Sequence, residues 1–146
     1  MNKRFLLIDD DHDDTELFRE ALCDIDKEIK CDLESSGKEA LDRISSHDLE
    51  KPDIIFLDVN MPLMSGWDVL PKLLQFAPYH DIPILMYSTS SRELDIEKAQ
   101  RNGAVTFFIK PLDYEDLKKS LKIILDHLES KSLDVLAPVF NFHEGV

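Results

Sequence analysis

Short apolar runs alternate along the chain with segments whose apolar residues recur at helical spacing. The apolar runs are RFLLI (4–8), IKCDLES (29–35), DIIFLD (53–58), IPILMY (82–87) and VTFFIK (105–110). The helical segments cover residues 14–25, 36–44, 67–76, 91–103 and 113–130. Runs of about four to eight apolar residues are typical of strands, and apolar residues at every third or fourth position are typical of amphipathic helices. The pattern therefore predicts an α/β fold in which five strands and five helices alternate, with helices on both faces of a parallel sheet.

The composition of each run indicates where its strand lies in the sheet. The third, fourth and fifth runs are apolar almost throughout, as expected for strands that are covered on both faces. The second run alternates, with Ile29, Cys31 and Leu33 on one side, and is predicted to lie at or near an edge. Because parallel strands joined by crossovers end on the same side of a sheet, the residues after the strands are predicted to share one ligand-binding edge.

Polar residues with complementary chemistry stand at the ends of four predicted strands. Asp9 and Asp10 follow the first strand and Asp58 ends the third, while Ser88 and Lys110 belong to the ends of the fourth and fifth. Carboxylates that are crowded together repel one another unless a cation lies between them. The candidate cation is Mg²⁺, which takes oxygen ligands and binds through one or two carboxylates together with water and phosphate. The sequence thus predicts that a metal, a carboxylate, a hydroxyl and an ammonium group meet at one edge.

The residues just after this acid pair have a simpler interpretation. Asp11, Asp13 and Asp14 precede a predicted helix whose N-terminus favours negative charge, and one of them is expected to be the N-cap. His12 is expected in an exposed loop and not as a ligand, because Mg²⁺ prefers oxygen. Within residues 9–14, we therefore assign only Asp9 and Asp10 to the metal site.

Composition and charge narrow the range of partners. The chain has 146 residues, 43% of them hydrophobic and 32% charged, which suits one globular domain. Its net charge of -13 argues against nucleic acid or an anionic membrane as the main partner. No stretch approaches the length of a membrane span, and the apolar run at the N-terminus is too short for a signal peptide. Cys23 and Cys31 fit no metal spacing, so we expect reduced thiols and a cytoplasmic location.

The chain resembles the response-regulator receiver domain, the CheY-like family, from about residue 3 to about residue 130. The resemblance rests on the acid pair in LLIDD, the segment LDVNMPLMSG around Asp58, Ser88 after the fourth strand, and the KP dipeptide at 110–111, in that order. It implies a flavodoxin-like, doubly wound sheet of five parallel strands in the order 2-1-3-4-5. One departure is Thr89, because similar receivers carry a smaller residue such as Ala or Gly at this position.

The resemblance also implies a phosphoacceptor and a metal site. Asp58 would accept a phosphoryl group from a sensor histidine kinase or a histidine phosphotransfer protein. Asp9 and Asp10, together with Asp58 and the backbone carbonyl of Asn60, would hold the Mg²⁺ ion.

Three further residues would sense the phosphoryl group, according to the same resemblance. Ser88 and Lys110 would contact its oxygens, which suits a reaction that depends on positioning and on positive charge. Ser88 and Phe107 would form a switch, because in similar receivers an aromatic side chain at this position swings inward when the hydroxyl reaches the phosphoryl group. This motion would reshape the surface of the fourth helix, fifth strand and fifth helix, where a partner would bind.

The predicted organisation is a receiver domain at residues 1–130 and a C-terminal extension of unknown role at residues 131–146, with no output domain. We therefore expect output by contact with a downstream protein or by passing phosphate along a relay. No enzymatic activity is expected beyond the domain's own phosphorylation and dephosphorylation. The extension is unusually apolar, and three interpretations stay open: a tail packed on its own domain, a disordered tail, or a segment for docking or dimerisation, with the first two slightly favoured.

Two other functions are compatible with parts of this pattern. A phosphatase with an aspartate nucleophile would carry a second acid two residues after Asp58, where this chain has Asn60. A pseudo-receiver that binds partners without phosphorylation would not need the complete set of acids, hydroxyl and lysine. Both alternatives are therefore disfavoured relative to a phosphoacceptor.

Overall fold

A computed structural model describes residues 3–76, 79–89, 93–104, 106–133 and 139–140. Strands and helices alternate along this part of the chain. The strands are β1 (Arg4–Ile8), β2 (Lys30–Glu34), β3 (Ile54–Asp58), β4 (Ile84–Ser88), β5 (Thr106–Ile109) and β6 (Val139–Phe140). The helices are α1 (His12–Ile25), α2 (Gly37–Ser45), α3 (Gly66–Gln75), α4 (Glu93–Arg101) and α5 (Tyr114–Glu129), with a 3-10 turn at Tyr79–Asp81.

The strands form one parallel sheet in the order β2-β1-β3-β4-β5-β6. The predicted five-stranded, doubly wound sheet with the order 2-1-3-4-5 is therefore confirmed, and so is the edge position of β2. The sheet differs from the prediction at its opposite edge, where β6 adds a sixth strand of two residues. The hydrophobic periodicity could not identify so short a strand, because two residues carry no period.

Each face of the sheet carries its own apolar core. On one face, residues such as Leu57 and Met86 pack against α2, α3 and α4. On the other face, Phe56 and Phe108 pack against α1 and α5, and Phe18 of α1 contacts Phe56 edge-on with ring centroids 5.0 Å apart. Strands covered on both faces are apolar at successive positions, which explains why β3 and β4 read as unbroken hydrophobic runs.

The connection from β5 to β6 has the opposite hand to the connection from β4 to β5. Both connections step in the same direction along the sheet, but α4 packs on one face and α5 on the other. Parallel crossovers are right-handed in about 98% of cases, so one of these two belongs to a rare class. The strand β6 has only two residues, so we expect it to pair weakly with β5.

The start of α1 corrects one expectation from the sequence. Asp11 is the N-cap, as predicted for one of the acids, and its side chain accepts a hydrogen bond from the Asp14 amide at 3.1 Å. His12 was expected in a loop, but it is the first residue of α1, although it is exposed as expected. The helix begins there because the cap is Asp11 rather than a later acid, so α1 starts two residues before the predicted segment 14–25.

Candidate functional site

Acidic residues from two strands meet at the carboxyl edge of the sheet. Asp9 and Asp10 follow β1 directly, and Asp58 is the last residue of the neighbouring strand β3. One carboxylate oxygen from each of the three lies within 4.8 Å of the others. Asp9 and Asp58 are buried, and Asp10 is exposed. The predicted convergence of these carboxylates is what the structure shows.

The ammonium group of Lys110 lies among these acids. Its Nζ atom donates to Asp9 Oδ2 and to Asp14 Oδ2, each at 3.0 Å, and lies 3.7 Å from Asp58 Oδ1. The side chain of Lys110 is only 10% exposed, and its Nζ lies 4.8 Å from the centre of the Tyr87 ring. Two carboxylates and the face of an aromatic ring thus contact the ammonium group and hold it beside Asp58.

The electrostatics of the site follow from this crowding. Burial, reinforced by the charge of Asp9, raises the pKa of the Asp58 carboxyl to about 7, although Lys110 acts in the opposite direction. Burial alone would lower the pKa of Lys110, but the charges of Asp9 and Asp58 outweigh it and the pKa is raised. The carboxylates therefore favour a further cation, and the ammonium group stays charged.

The donor set fits a Mg²⁺ ion. Asp9, Asp10 and Asp58 offer hard carboxylate oxygens close enough together to contact one small cation. Lys110 balances only one of these three charges, so a divalent ion at the cluster would relieve the remaining repulsion. The acidic cluster thus has both the ligand type and the charge that Mg²⁺ requires.

The loop after β3 holds Asp58 in place. The amide of Asn60 donates to Asp58 Oδ1 at 3.3 Å, and the amide of Val59 donates to the carbonyl of Tyr87 at 3.1 Å. The amide of Gly66 donates to the carbonyl of Val59 at 3.0 Å. A Cβ atom at Gly66 would collide with the backbone oxygen of Asp58, so only glycine permits this close approach. The segment around the predicted phosphoacceptor is therefore a tightly closed loop.

Ser88 lies one position beyond Asp58 on the neighbouring strand. Asp58 pairs with Tyr87 in the register of β3 and β4, and Ser88 follows as the buried last residue of β4. The backbone carbonyl of Ser88 accepts a hydrogen bond from the Lys110 amide at 2.7 Å. The ends of β4 and β5 are thus tied together beside the acids, and Thr89 after them is exposed.

Phe107 lies in the core rather than at the surface. Its side chain is fully buried on the face of the sheet that α2, α3 and α4 cover, whereas Phe108 is buried on the opposite face. The side chain of Phe107 is thus part of the apolar core in this structure. The predicted motion between two positions stays a prediction.

Asp14 is a member of the site that the sequence did not indicate. The acid was interpreted as part of a helix start, and it does lie in the first turn of α1, yet its side chain also binds Lys110 at 3.0 Å. The two residues are 96 positions apart in the chain. Only the packing of α1 on the sheet brings them together, so no local pattern signals the contact.

Comparison with known proteins identifies the family of the chain. The sequence matches the response regulator receiver domain over residues 5–122. It is 31% identical to the probable methanogenesis regulatory protein FilR2 of Methanothrix harundinacea over 62% of this chain and 61% of that protein. It is 28% identical to protein PilH of Pseudomonas aeruginosa over 84% of this chain and 97% of that protein. The chain spans 52% and 30% of the length of two further relatives.

The fold has close counterparts among solved structures. The phosphorylated cyanobacterial phytochrome response regulator RcpA superposes with a TM-score of 0.81 at 25% identity, covering 90% of this chain and 96% of that one. Among the helices in the described part of the chain, none combines the length and the apolar character needed to cross a membrane. The match over residues 5–122, the strand order and the acidic cluster at the carboxyl edge agree with one another: the chain belongs to the response regulator receiver domain family.

Proposed function

We propose that the chain is a phosphoacceptor in a two-component or phosphorelay system, and that Asp58 is the residue that is phosphorylated. The observation that carries the proposal is the environment of this carboxylate. It is buried at the end of β3, within 4.8 Å of two other acids that fit a Mg²⁺ ion, and 3.7 Å from the ammonium group of Lys110. A nucleophile set between a cation site and a fixed positive charge suits the transfer of an anionic group.

The proposed step is an in-line displacement at phosphorus. A carboxylate oxygen of Asp58 forms the new P–O bond while the P–N bond of a phosphohistidine donor breaks. The electron pair of that bond goes to the imidazole of the donor, which takes a proton from the surrounding water. The product is an aspartyl phosphate, and no further reactant is needed.

Other residues of the chain would stabilise the transferred group. Lys110 would donate to one phosphoryl oxygen, because its Nζ already lies beside Asp58 and carries three donors. Ser88 would donate from its hydroxyl group at the end of the adjacent strand. When bound by Asp9, Asp10, Asp58 and the carbonyl of Asn60, Mg²⁺ supplies charge neutralisation at the phosphoryl oxygens.

The surface around the site is suited to a protein donor. Receiver domains of this family interact with histidine kinases or phosphotransfer proteins. Leu63 in the loop between β3 and α3, and Leu112 in the loop between β5 and α5, are fully exposed, and Leu17 of α1 is 43% exposed. Leu63 and Leu112 thus stand exposed in two loops that follow strands at the same edge of the sheet as Asp58. We infer that the phosphorylated histidine approaches on a helical protein that covers these leucines.

The remaining parts of the proposal concern the signal. Residues 1–130 would act as the receiver domain, residues 131–146 as an extension whose role is open, and Ser88 with Phe107 as the switch. Output would pass to a downstream protein by direct contact, with neither nucleic acid nor membrane as the partner and with a homodimer as one form. The location would be cytoplasmic, and the only reactions catalysed would be the domain's own phosphorylation and dephosphorylation.

Exposure to acetyl phosphate and Mg²⁺, followed by intact mass measurement, tests this function. We expect the wild-type chain to gain one phosphoryl group and Asp58→Asn to gain none. Asp13→Asn, which removes an exposed carboxylate in the same segment, is the matched control and should behave as wild type. A wild-type chain that gains no phosphoryl group would favour a pseudo-receiver, and equal gain by Asp58→Asn would exclude Asp58 as the acceptor.

A further inference from the structure

Asp14 makes a contact that neither the metal site nor the phosphoacceptor requires. Its carboxylate binds Lys110 at 3.0 Å, but the group of acids that could share a metal ion consists of Asp9, Asp10 and Asp58. The side chain of Asp14 is 35% exposed and projects from the first turn of α1. Its contact in the site is therefore with the ammonium group alone.

The geometry of Lys110 shows what this contact does. The Nζ atom is within hydrogen-bond distance of Asp9 and Asp14, whereas its 3.7 Å separation from Asp58 Oδ1 is too long for a hydrogen bond. The ammonium group beside Asp58 is therefore hydrogen-bonded to Asp9 and Asp14 and not to the proposed acceptor. A hydrogen bond to an oxygen on phosphorylated Asp58 would draw it toward that residue and away from these two partners.

The charge of Asp14, like the short distance between the two groups, favours its contact with Lys110. Asp9 would share its negative charge with a metal ion, whereas Asp14 lies outside the metal cluster and keeps its full charge for Lys110. A carboxylate beside an ammonium group offsets part of the attraction that the ammonium group exerts on another anion. Asp14 therefore competes with an incoming phosphoryl group for the same lysine.

We propose that Asp14 is a positioning residue that holds Lys110 in the unphosphorylated protein and is released when the lysine turns to the phosphoryl group. This inference rests on the proposed role of Asp58 as the phosphoacceptor. Because Asp14 belongs to α1, the exchange of partners couples the occupancy of the site to the first turn of this helix. It lowers the affinity of the site for the phosphoryl group and gives α1 a contact that depends on phosphorylation.

Beryllofluoride, a phosphoryl mimic, tests this exchange when binding is followed by fluorine NMR at saturating Mg²⁺. Removal of a partly exposed competing charge should tighten binding, and we expect an increase of about fivefold for Asp14→Asn. Asp14→Glu retains the carboxylate and should bind much as wild type does. Asp13→Asn removes the adjacent exposed charge without removing a partner of Lys110, and should change the affinity by less than about twofold.

A second measurement follows Asp14 itself in the wild-type chain. The carboxyl carbon-13 shift of Asp14 should change when beryllofluoride binds, because the ammonium group leaves it. Asp14→Asn that binds no more tightly than Asp13→Asn, or an Asp14 signal that does not move, would overturn the exchange while leaving Asp58 as the acceptor. No Mg²⁺-dependent binding of beryllofluoride by the wild-type chain would overturn the proposed function and this inference with it.

Discussion

The buried carboxylate of Asp58 makes a quantitative prediction for the stability of the metal-free protein. Burial, together with the charge of Asp9, raises the pKa of this group from 3.8 to about 7. An acid whose pKa is higher in the folded than in the unfolded state binds its proton more tightly when folded. The fold therefore loses stability as the pH rises from the unfolded pKa through the folded pKa, and the loss is complete above it.

The size of this loss follows from the pKa shift. One pKa unit corresponds to about 1.4 kcal/mol, so a rise from 3.8 to about 7 corresponds to at most about 4 kcal/mol. Asparagine resembles the protonated carboxyl group and cannot ionise. We therefore expect Asp58→Asn to gain about 3 kcal/mol in unfolding free energy relative to wild type as the pH is raised from about 4.5 to 8.

The assay is urea denaturation followed by circular dichroism, in the presence of a chelator, at several pH values. Asp13→Asn is the control, because the exposed carboxylate that it removes should leave the pH dependence close to that of wild type. An Asp58→Asn protein whose stability relative to wild type does not change with pH would refute the reasoning. So would one that becomes relatively less stable at pH 8.

Four further predictions concern the surroundings of the site. In the metal-free chain at pH 8, added Mg²⁺ should raise the unfolding free energy of wild type and should raise that of Asp10→Asn much less, as urea titrations would show. Gly66→Ala should lower the unfolding free energy by about 2 kcal/mol or more, because the added Cβ collides with the backbone of Asp58; an unchanged urea midpoint would contradict the close approach. Leu112→Ala should slow phosphoryl transfer about tenfold when the donor is a phosphorylated histidine phosphotransfer domain that is active toward wild type. The same variant should react with acetyl phosphate at the wild-type rate. In a Val139→Pro, Phe140→Pro double variant, the β5 amides that face β6 should exchange hydrogen about tenfold faster, while those that face β4 keep their protection; uniform exchange rates would contradict the pairing.

The sequence carried enough information to predict the strands β1 to β5 and the convergence of the acids. Each apolar run can be recognised from a short stretch of sequence. Because parallel strands end at the same edge of the sheet, the residues that follow the runs can be placed close together. Asp9, Asp58 and Lys110 each stand at a strand end, so their meeting could be inferred without coordinates. The roles of Asn60 and Phe107, in contrast, came from the resemblance to receiver domains, because neither residue stands out in the pattern.

Two features could not be predicted, for different physical reasons. The contact between Asp14 and Lys110 depends on how α1 is seated on the sheet, and helix periodicity fixes which face is apolar but not where a polar side chain reaches. The strand β6 is too short to show a period, and its pairing with β5 is a contact between distant parts of the fold. The apolar character of the extension did indicate packing, and the pairing of Val139–Phe140 with β5 agrees for these two residues.

The central claim is that Asp58 carries the phosphoryl group. Borohydride reduces an aspartyl phosphate to homoserine, so peptide mass spectrometry of borohydride-treated protein locates the modified residue directly. After incubation with acetyl phosphate and Mg²⁺, we expect homoserine at position 58 and at none of the neighbouring acids Asp9, Asp10 or Asp14. Homoserine at another position, or at no position in a sample whose intact mass had shown the phosphoryl group, would contradict the account.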